Sequence, residues 1–147
     1  MFDPTAYEYE ASGKGYVVAS VGGASGEVPY TCYIAKNSWL EKNGKAAEGF
    51  LRAITKAVKF IHEKSESEVA PYLTKYFEGT SEASISASVE RYKQIDAWRT
   101  ELSMTQESFE RLQDVISNAG ELTKRVNFTD LVNNNYAQKA YKDVYKI

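Results

Sequence analysis

Few side chains in this sequence could act as a nucleophile, a general base or a soft metal ligand, since it contains one histidine, His62, and one cysteine, Cys32. A nucleophile needs a base beside it, and a histidine or cysteine metal site needs several such ligands at fixed spacing. His62 lies near the C-terminal end of a predicted helix, where a histidine side chain interacts favourably with the helix dipole. We therefore expect it to be a surface residue. Cys32 lies in the apolar run YTCYIA, which predicts a small buried side chain. We therefore expect no catalytic residue, no metal and no cofactor, and a protein that is not an enzyme.

Two other groups of residues could have a chemical role, but each has a simpler structural explanation. The carboxylate pairs Glu66 with Glu68 and Glu107 with Glu110 fall in helical segments rich in lysine and serine, which is typical of a solvated face. The glycine-rich stretch GGASG at residues 22–26 could cradle an anion with its backbone N–H groups. No Gly-Lys-Ser/Thr follows it and no long helix begins directly after it, so the sequence favours a flexible loop.

Composition limits the class of protein. The chain has 147 residues, 43% of them apolar and 26% charged, which is typical of one soluble globular domain. The formal net charge of −2 and the interspersed charges leave no basic stripe for a phosphate backbone, so we expect no nucleic-acid partner. No apolar run approaches the roughly 20 residues that cross a bilayer, and the first residues lack the pattern of a signal peptide.

The pattern of secondary structure changes near residue 37. Residues 4–11 predict a short helix capped by Asp3, and two runs rich in β-branched and aromatic residues, 16–21 and 30–35, predict two short strands. From residue 38 the apolar spacing is helical and predicts about five helices. The first covers residues 43–64, the second covers 67–77 and is ended by Gly79, and the third is entered at Thr80 or Ser81 and ends near Trp98. The fourth opens at Ser103 or Thr105 and stops at Gly120, and the last begins at Asn135 after a helical turn at 128–132.

Two short strands do not make a stable sheet by themselves, so we expect their edges to be covered. Either an N-terminal portion of a longer protein supplies further strands, or two copies of the chain pair through these strands as a homodimer. The abrupt start at Met1 favours the first alternative. The second describes a standalone helical interaction module that associates with itself.

Several segments resemble one family in order and spacing. They read FDP at residues 2–4, GKGYVVASV at 13–21, GEVPYT at 26–31, FLRAI at 50–54, ERYKQIDAW at 90–98, FERLQD at 109–114 and AGEL at 119–122. Together they resemble the C-terminal part of the solute-binding proteins of ABC importers that bind thiamine pyrimidine precursors, nitrate, sulfonates or taurine. The resemblance covers nearly the whole chain.

The resemblance implies an α/β, helix-rich chain that forms the C-terminal part of a type II periplasmic-binding-protein fold. Residues 1–37 would then be a cleft loop, a short helix and two strands returning between lobes, and residues 38–147 a helical part packing on the sheet of the first lobe. It also implies an extracytoplasmic lipoprotein, at the cell surface or in the periplasm, that delivers its ligand to an ABC permease.

The same resemblance implies a binding site for a small molecule such as a thiamine pyrimidine precursor, completed by an N-terminal part of the protein. Phe2 is our candidate for stacking on the ligand, and Asp3 for accepting a hydrogen bond from a ring substituent or an ammonium group. Glu27 and Tyr30 are candidates for polar contacts. Each has an alternative: a helix cap for Asp3, core packing for Phe2, and a solvated loop or strand packing for Glu27 and Tyr30.

Overall fold

The structure is a computed structural model that describes every residue from Met1 to Ile147, and its regular secondary structure is entirely helical. The eight helices are α1 Thr5–Ala11, α2 Val21–Ser25, α3 Asn37–Glu63, α4 Glu66–Thr74, α5 Glu82–Gln94, α6 Gln106–Asn118, α7 Phe128–Leu131 and α8 Asn135–Tyr145. Two compact units are present: Met1–Ala24 with Ala57–Thr100, and Ser25–Lys56 with Glu101–Ile147. None of the helices combines the length and the apolar character that crossing a membrane requires.

The predicted α/β fold with two strands is wrong, because no segment of the chain forms a strand. A strand needs ladder hydrogen bonds to a neighbour, and the backbone groups of residues 31–35 make no hydrogen bond within the chain. In the other run the backbone N–H of Val17 donates to the Glu10 carboxylate at 3.0 Å, and Val21 begins α2, which also takes up most of the glycine-rich stretch. The β-branched and aromatic residues that indicated strands therefore lie in irregular segments. The division of the chain at residue 37 stays a prediction.

The core of the first unit lies between α4, α5 and the end of α3. Ile61, Val69, Ala70, Ile85 and Val89 are buried there, and Phe60, Leu73 and Trp98 pack against them. Side-chain caps mark the starts of α4 and α5: Ser65 and Glu68 form a capping box at α4, and the Ser81 hydroxyl accepts the Ser84 N–H at α5. The caps determine where α4 and α5 begin, and burial of the apolar residues named above holds the two helices together.

The second unit contains α6, α7, α8 and residues 37–56 of α3. Phe109 on α6 is buried, and its ring meets that of Phe128 at a centroid distance of 5.7 Å. Asn134 joins the segment before α6 to the start of α8, because its side chain accepts the Met104 N–H at 3.0 Å and donates to the Met104 carbonyl at 2.8 Å. In α3, Asn43 has non-helical dihedrals (φ −126°, ψ 25°), so the predicted start of a helix at this residue is a bend within a longer one.

Candidate functional site

The N-terminal segment is held against its own first helix by backbone and side-chain hydrogen bonds. Asp3 precedes the N-cap residue Pro4, and its Oδ1 accepts the backbone N–H of Tyr7 at 3.0 Å. The carbonyl of Phe2 accepts the Ala6 N–H at 3.0 Å. The free N–H groups of the first turn of α1 are therefore partly satisfied by the two residues that the sequence singled out for a site. Asp3 therefore caps α1, which is one of the two roles that the sequence suggested for it.

The same carboxylate binds an arginine from a distant part of the chain. Arg91, in the last turn of α5, donates from Nη1 to Asp3 Oδ1 at 3.3 Å and from Nη2 to Glu10 Oε2 in a short contact. Its guanidinium carbon lies 5.4 Å from the centroid of the Tyr7 ring, within the range of a cation–π contact. We call these residues and Tyr92 the Arg91 cluster: Asp3, Tyr7, Glu10, Arg91 and Tyr92.

Burial and hydrogen bonding in the Arg91 cluster favour an ionised Glu10 carboxylate and a neutral Tyr92 phenol. The Asp3 side chain is 10% exposed, and those of Arg91 and Glu10 are 28% and 29% exposed. The hydrogen bond from the Val17 N–H, followed by that from Arg91, lowers the pKa of Glu10. Burial, followed by the negative charge of Asp3, raises the pKa of Tyr92. With two carboxylates and one guanidinium, the cluster carries excess negative charge.

The Arg91 cluster has the properties of an acceptor site. Both hydrogen bonds to Asp3 described above end on Oδ1, and a carboxylate offers further acceptor positions on its second oxygen. The residue next to Asp3 in sequence, Phe2, is 66% exposed, so the alternative interpretation of Phe2 as a core residue is wrong. A carboxylate held in a fixed direction can accept hydrogen bonds from a ligand that carries N–H donors, and an aromatic residue adjacent to it in sequence can contact a flat ring.

Glu27 and Tyr30 lie in the second unit, in the irregular segment that precedes α3. The Glu27 carbonyl accepts from Arg111 Nη1 at 2.8 Å, and Nη2 of the same arginine pairs with Glu107 at 2.7 Å. The Tyr30 side chain is 81% exposed. The four predicted site residues form two pairs that are close in sequence. Phe2 and Asp3 lie in the first unit, and Glu27 and Tyr30 lie in the second. Their role in ligand binding stays a prediction.

Arg91 is the residue that sequence reasoning missed. It was part of a resembling segment, but nothing local indicated a role at the N-terminal segment, from which it is separated by 88 residues at Asp3 and 81 at Glu10. A lone arginine in the last turn of a helix is ordinarily explained by the helix dipole. The partner carboxylates become apparent only once the chain is folded.

The histidine and the cysteine lie in different units, His62 in the first and Cys32 in the second. His62 is exposed, as predicted, and its Nε2 lies 2.6 Å from the Trp98 carbonyl. Cys32 is exposed, so the prediction of a buried side chain is wrong. No group of three or more histidine, cysteine or carboxylate side chains is placed to hold a metal ion.

Two surface hollows lie in the second unit. One of about 600 Å³ follows the bend of α3 and is lined mainly by residues 41–46 with Glu48 and Tyr136. The other, of about 340 Å³, is lined by Ile34, Ala35, Lys36 and Trp39. Neither contains Glu27 or Tyr30.

Comparison with known proteins adds one finding about function. No protein-family model matches the chain, and no solved structure matches it. The chain is 36% identical over 139 residues to a protein of Bacillus subtilis (strain 168) named "Putative binding protein YtlA". The match covers 95% of this chain and 42% of that relative, so the chain spans less than half of the relative's length. The chain is therefore similar, along nearly all of its length, to part of a protein described as a binding protein.

Proposed function

We propose that this chain is part of the substrate-binding component of an ABC importer and contributes to the capture of a small heteroaromatic ligand, such as a thiamine pyrimidine precursor, outside the cytoplasmic membrane. The observation that carries the proposal is the 36% identity, over 95% of the chain, to a protein named as a binding protein. The ordered segments that resemble solute-binding proteins of importers support the finer assignment. The ligand would pass unchanged to a permease, and the protein would not be an enzyme.

The Arg91 cluster offers a physical means of selecting such a ligand. Asp3 would accept a hydrogen bond from an amino substituent of the ring, and Phe2, a residue that is 66% exposed, would stack on the ring itself. Arg91 would act as a positioning residue, since its contact with Oδ1 fixes the direction of the carboxylate. Glu27 and Tyr30 would supply further polar contacts in the complete protein.

The experiment is a binding measurement on two proteins of full length. One is the Bacillus subtilis relative itself. The other, the joined protein, consists of this chain fused to the portion of that relative that the match leaves out. Each is titrated calorimetrically with a hydroxymethylpyrimidine, an alkanesulfonate, taurine and nitrate. We expect saturable binding of the pyrimidine with one ligand per chain, and mass spectrometry should recover the ligand unchanged.

Matched variants of the joined protein test the role of Asp3. Asp3→Asn should weaken pyrimidine binding at least tenfold, since an amide replaces the anionic acceptor, an effect of about 1.4 kcal/mol or more. Glu8→Gln removes an exposed carboxylate from the same helix and should leave binding unchanged. Equal affinities of the two variants would refute the assignment of Asp3. Chemical conversion of the pyrimidine would refute the proposal that the protein is not an enzyme.

A further inference from the structure

Helix α1 contacts α5 without burying any of its own residues. All seven residues of Thr5–Ala11 keep contact with solvent, whereas α5 buries Ile85 and Val89 in the core of the first unit. A helix this short is not stable by itself in water, since isolated helices of fewer than about 12–15 residues are marginal. Helix α1 therefore depends on its contacts with α5, and those contacts bury little apolar surface.

The contacts between α1 and α5 converge on one charged side chain. Asp3, Tyr7 and Glu10 have the i, i+4 and i+7 spacing that places side chains on one face. Arg91 donates from Nη1 to the Asp3 carboxylate at 3.3 Å and from Nη2 to the Glu10 carboxylate. Its guanidinium carbon lies 5.4 Å from the centroid of the Tyr7 ring. Tyr92 adds a hydrogen bond to the Asp3 backbone. One arginine therefore binds carboxylates at both ends of α1.

Glu10 makes α1 more dependent on that arginine. It lies in the last turn of the helix, where a negative charge opposes the helix dipole, and no basic residue of α1 compensates it there. Glu10 also accepts the Val17 N–H at 3.0 Å, so it ties the segment after the helix to the same arginine. Loss of the Arg91 contact would leave an uncompensated carboxylate at the unfavourable end of α1. The helix and the segment up to Val17 would then lose their anchor together.

The chain just beyond this anchor can bend. The backbone groups of Val18 and Ala19 make no hydrogen bond within the chain, and Val18 is 93% exposed. From Ser20 onward the chain is anchored again, because the Ser20 hydroxyl accepts the Gly23 N–H at 3.1 Å. Gly23 lies beside the C-cap of α5, where an added Cβ would be 3.7 Å from Ile95 Cγ2. Rotation at Val18 and Ala19 can therefore move the preceding residues without disturbing α2 or the core.

We propose that residues 1–17 form an N-terminal arm that opens as one unit, with Arg91 as its latch, while the core of the first unit stays folded. Local opening is the behaviour expected of a segment that makes few buried apolar contacts. The inference does not depend on a ligand, because opening is a property of the chain alone. One consequence rests on the proposed function: since the arm carries Phe2 and Asp3, its opening would accompany ligand entry and release.

Hydrogen–deuterium exchange of the 147-residue chain, without ligand, tests the arm. The amides of Ala6, Tyr7 and Glu8 report on it, because they donate to residues 2–4 at 3.0 to 3.1 Å. After correction for intrinsic rates, we expect these amides to exchange at least tenfold faster than those of α5, at a rate that low urea concentrations leave unchanged. Exchange of α1 and α5 at one common rate, with the same dependence on urea, would overturn the proposal, because the arm would then open only when the protein unfolds.

Two variants in the same turn of α5 test the latch. Arg91→Ala should make the three α1 amides exchange at least tenfold faster than in the unchanged chain, while the amides of α4 change less than twofold. Lys93→Ala removes the same charge but breaks contacts with Glu66 at 2.8 Å and the Lys64 carbonyl at 2.7 Å, so it should leave α1 exchange unchanged. Arg91→Lys should give an intermediate rate, because an ammonium lacks the fork that binds two carboxylates. Equal α1 rates in Arg91→Ala and Lys93→Ala would overturn the proposal. Loss of the helical circular dichroism in Arg91→Ala would also overturn it, because opening of the arm spares α4 and α5.

Discussion

Arg91 binds the Asp3 carboxylate at 3.3 Å across 88 residues of sequence, and this contact ties the start of the chain to the last turn of α5. The Asp3 side chain is 10% exposed, so its charge is largely removed from water. A carboxylate in that position needs a partner, because an unpaired buried charge is costly. Stability and the geometry of the proposed acceptor site therefore depend on the same arginine.

Replacing Arg91 by alanine should destabilise the protein because it leaves the Asp3 carboxylate without its cationic partner. We expect a loss of roughly 1–3 kcal/mol in the free energy of unfolding, the cost typical of a poorly solvated group that loses a charged hydrogen bond. Urea denaturation followed by circular dichroism measures it. The control is Arg52→Ala, which breaks the more exposed pair with Asp143 at 3.4 Å and should cost less than about 1 kcal/mol. A larger loss for Arg52→Ala than for Arg91→Ala would contradict this interpretation.

The capping box of α4 should make stability depend on acid pH. The Ser65 N–H, followed by the Lys64 ammonium, lowers the pKa of Glu68 from 4.5 to about 2. A carboxyl whose pKa is lower in the folded state contributes stability above its unfolded pKa and loses it as the pH falls through the folded pKa. The window is therefore about pH 4.5 to 2. Glu68→Gln should reduce the fall in urea midpoint across this window, whereas Glu78→Gln, an exposed residue beyond α4, should leave the fall unchanged. Identical pH profiles for all three proteins would exclude Glu68 as the group responsible.

Gln113 should be the most sensitive polar residue of α6. Its side chain accepts the Val126 N–H at 2.8 Å and donates to the Val126 carbonyl at 3.1 Å, and the residue is 4% exposed. Gln113→Leu keeps most of the volume but leaves both backbone groups of Val126 without that partner, so we expect a loss of about 1–3 kcal/mol. Thermal and urea unfolding measure the loss. Gln138→Leu on the exposed face of α8 is the control and should change stability by less than about 0.5 kcal/mol.

Two glycines should respond in opposite directions to alanine. Gly26 has φ +75°, and an added Cβ would lie 3.0 Å from Arg111 Nη1, the group that donates to the Glu27 carbonyl. We expect Gly26→Ala to destabilise the protein by about 1 kcal/mol. Gly49 lies within α3 with no atom within 4 Å of an added Cβ, so Gly49→Ala should stabilise it by about 0.5–1 kcal/mol. Shifts of the same sign in the two urea midpoints would refute the conformational argument.

Much of the helical part could be predicted because its signals are local. The caps Ser81 and Thr105 and the left-handed Gly79 and Gly120 lie where the sequence placed helix boundaries. The strands could not be predicted correctly, because composition indicates a preference for extended backbone but a strand also needs a pairing partner. Burial was predicted less well than boundaries. On α6 the helical spacing of apolar residues predicts that Val115 faces inward, but it is 55% exposed. The buried Gln113 gave no such signal because its partner, Val126, lies in a later loop.

The same distinction between local and long-range signals applies to the site residues. The capping role of Asp3 follows from its position just before a helical pattern, and the structure confirms it through the bond from the Tyr7 N–H. Its second partner, Arg91, depends on long-range folding and gave no local signal. Arg111, which donates to the Glu27 carbonyl, is likewise distant in sequence, at 84 residues.

The measurement that tests the central claim most directly is the calorimetric titration of the joined protein and of the Bacillus subtilis relative with a hydroxymethylpyrimidine. We predict saturable binding of one ligand per chain to both proteins, weakened at least tenfold by Asp3→Asn in the joined protein. Absence of binding to both folded proteins, with sulfonate, taurine and nitrate also giving no heat, would contradict the assignment of this chain to an importer's substrate-binding component.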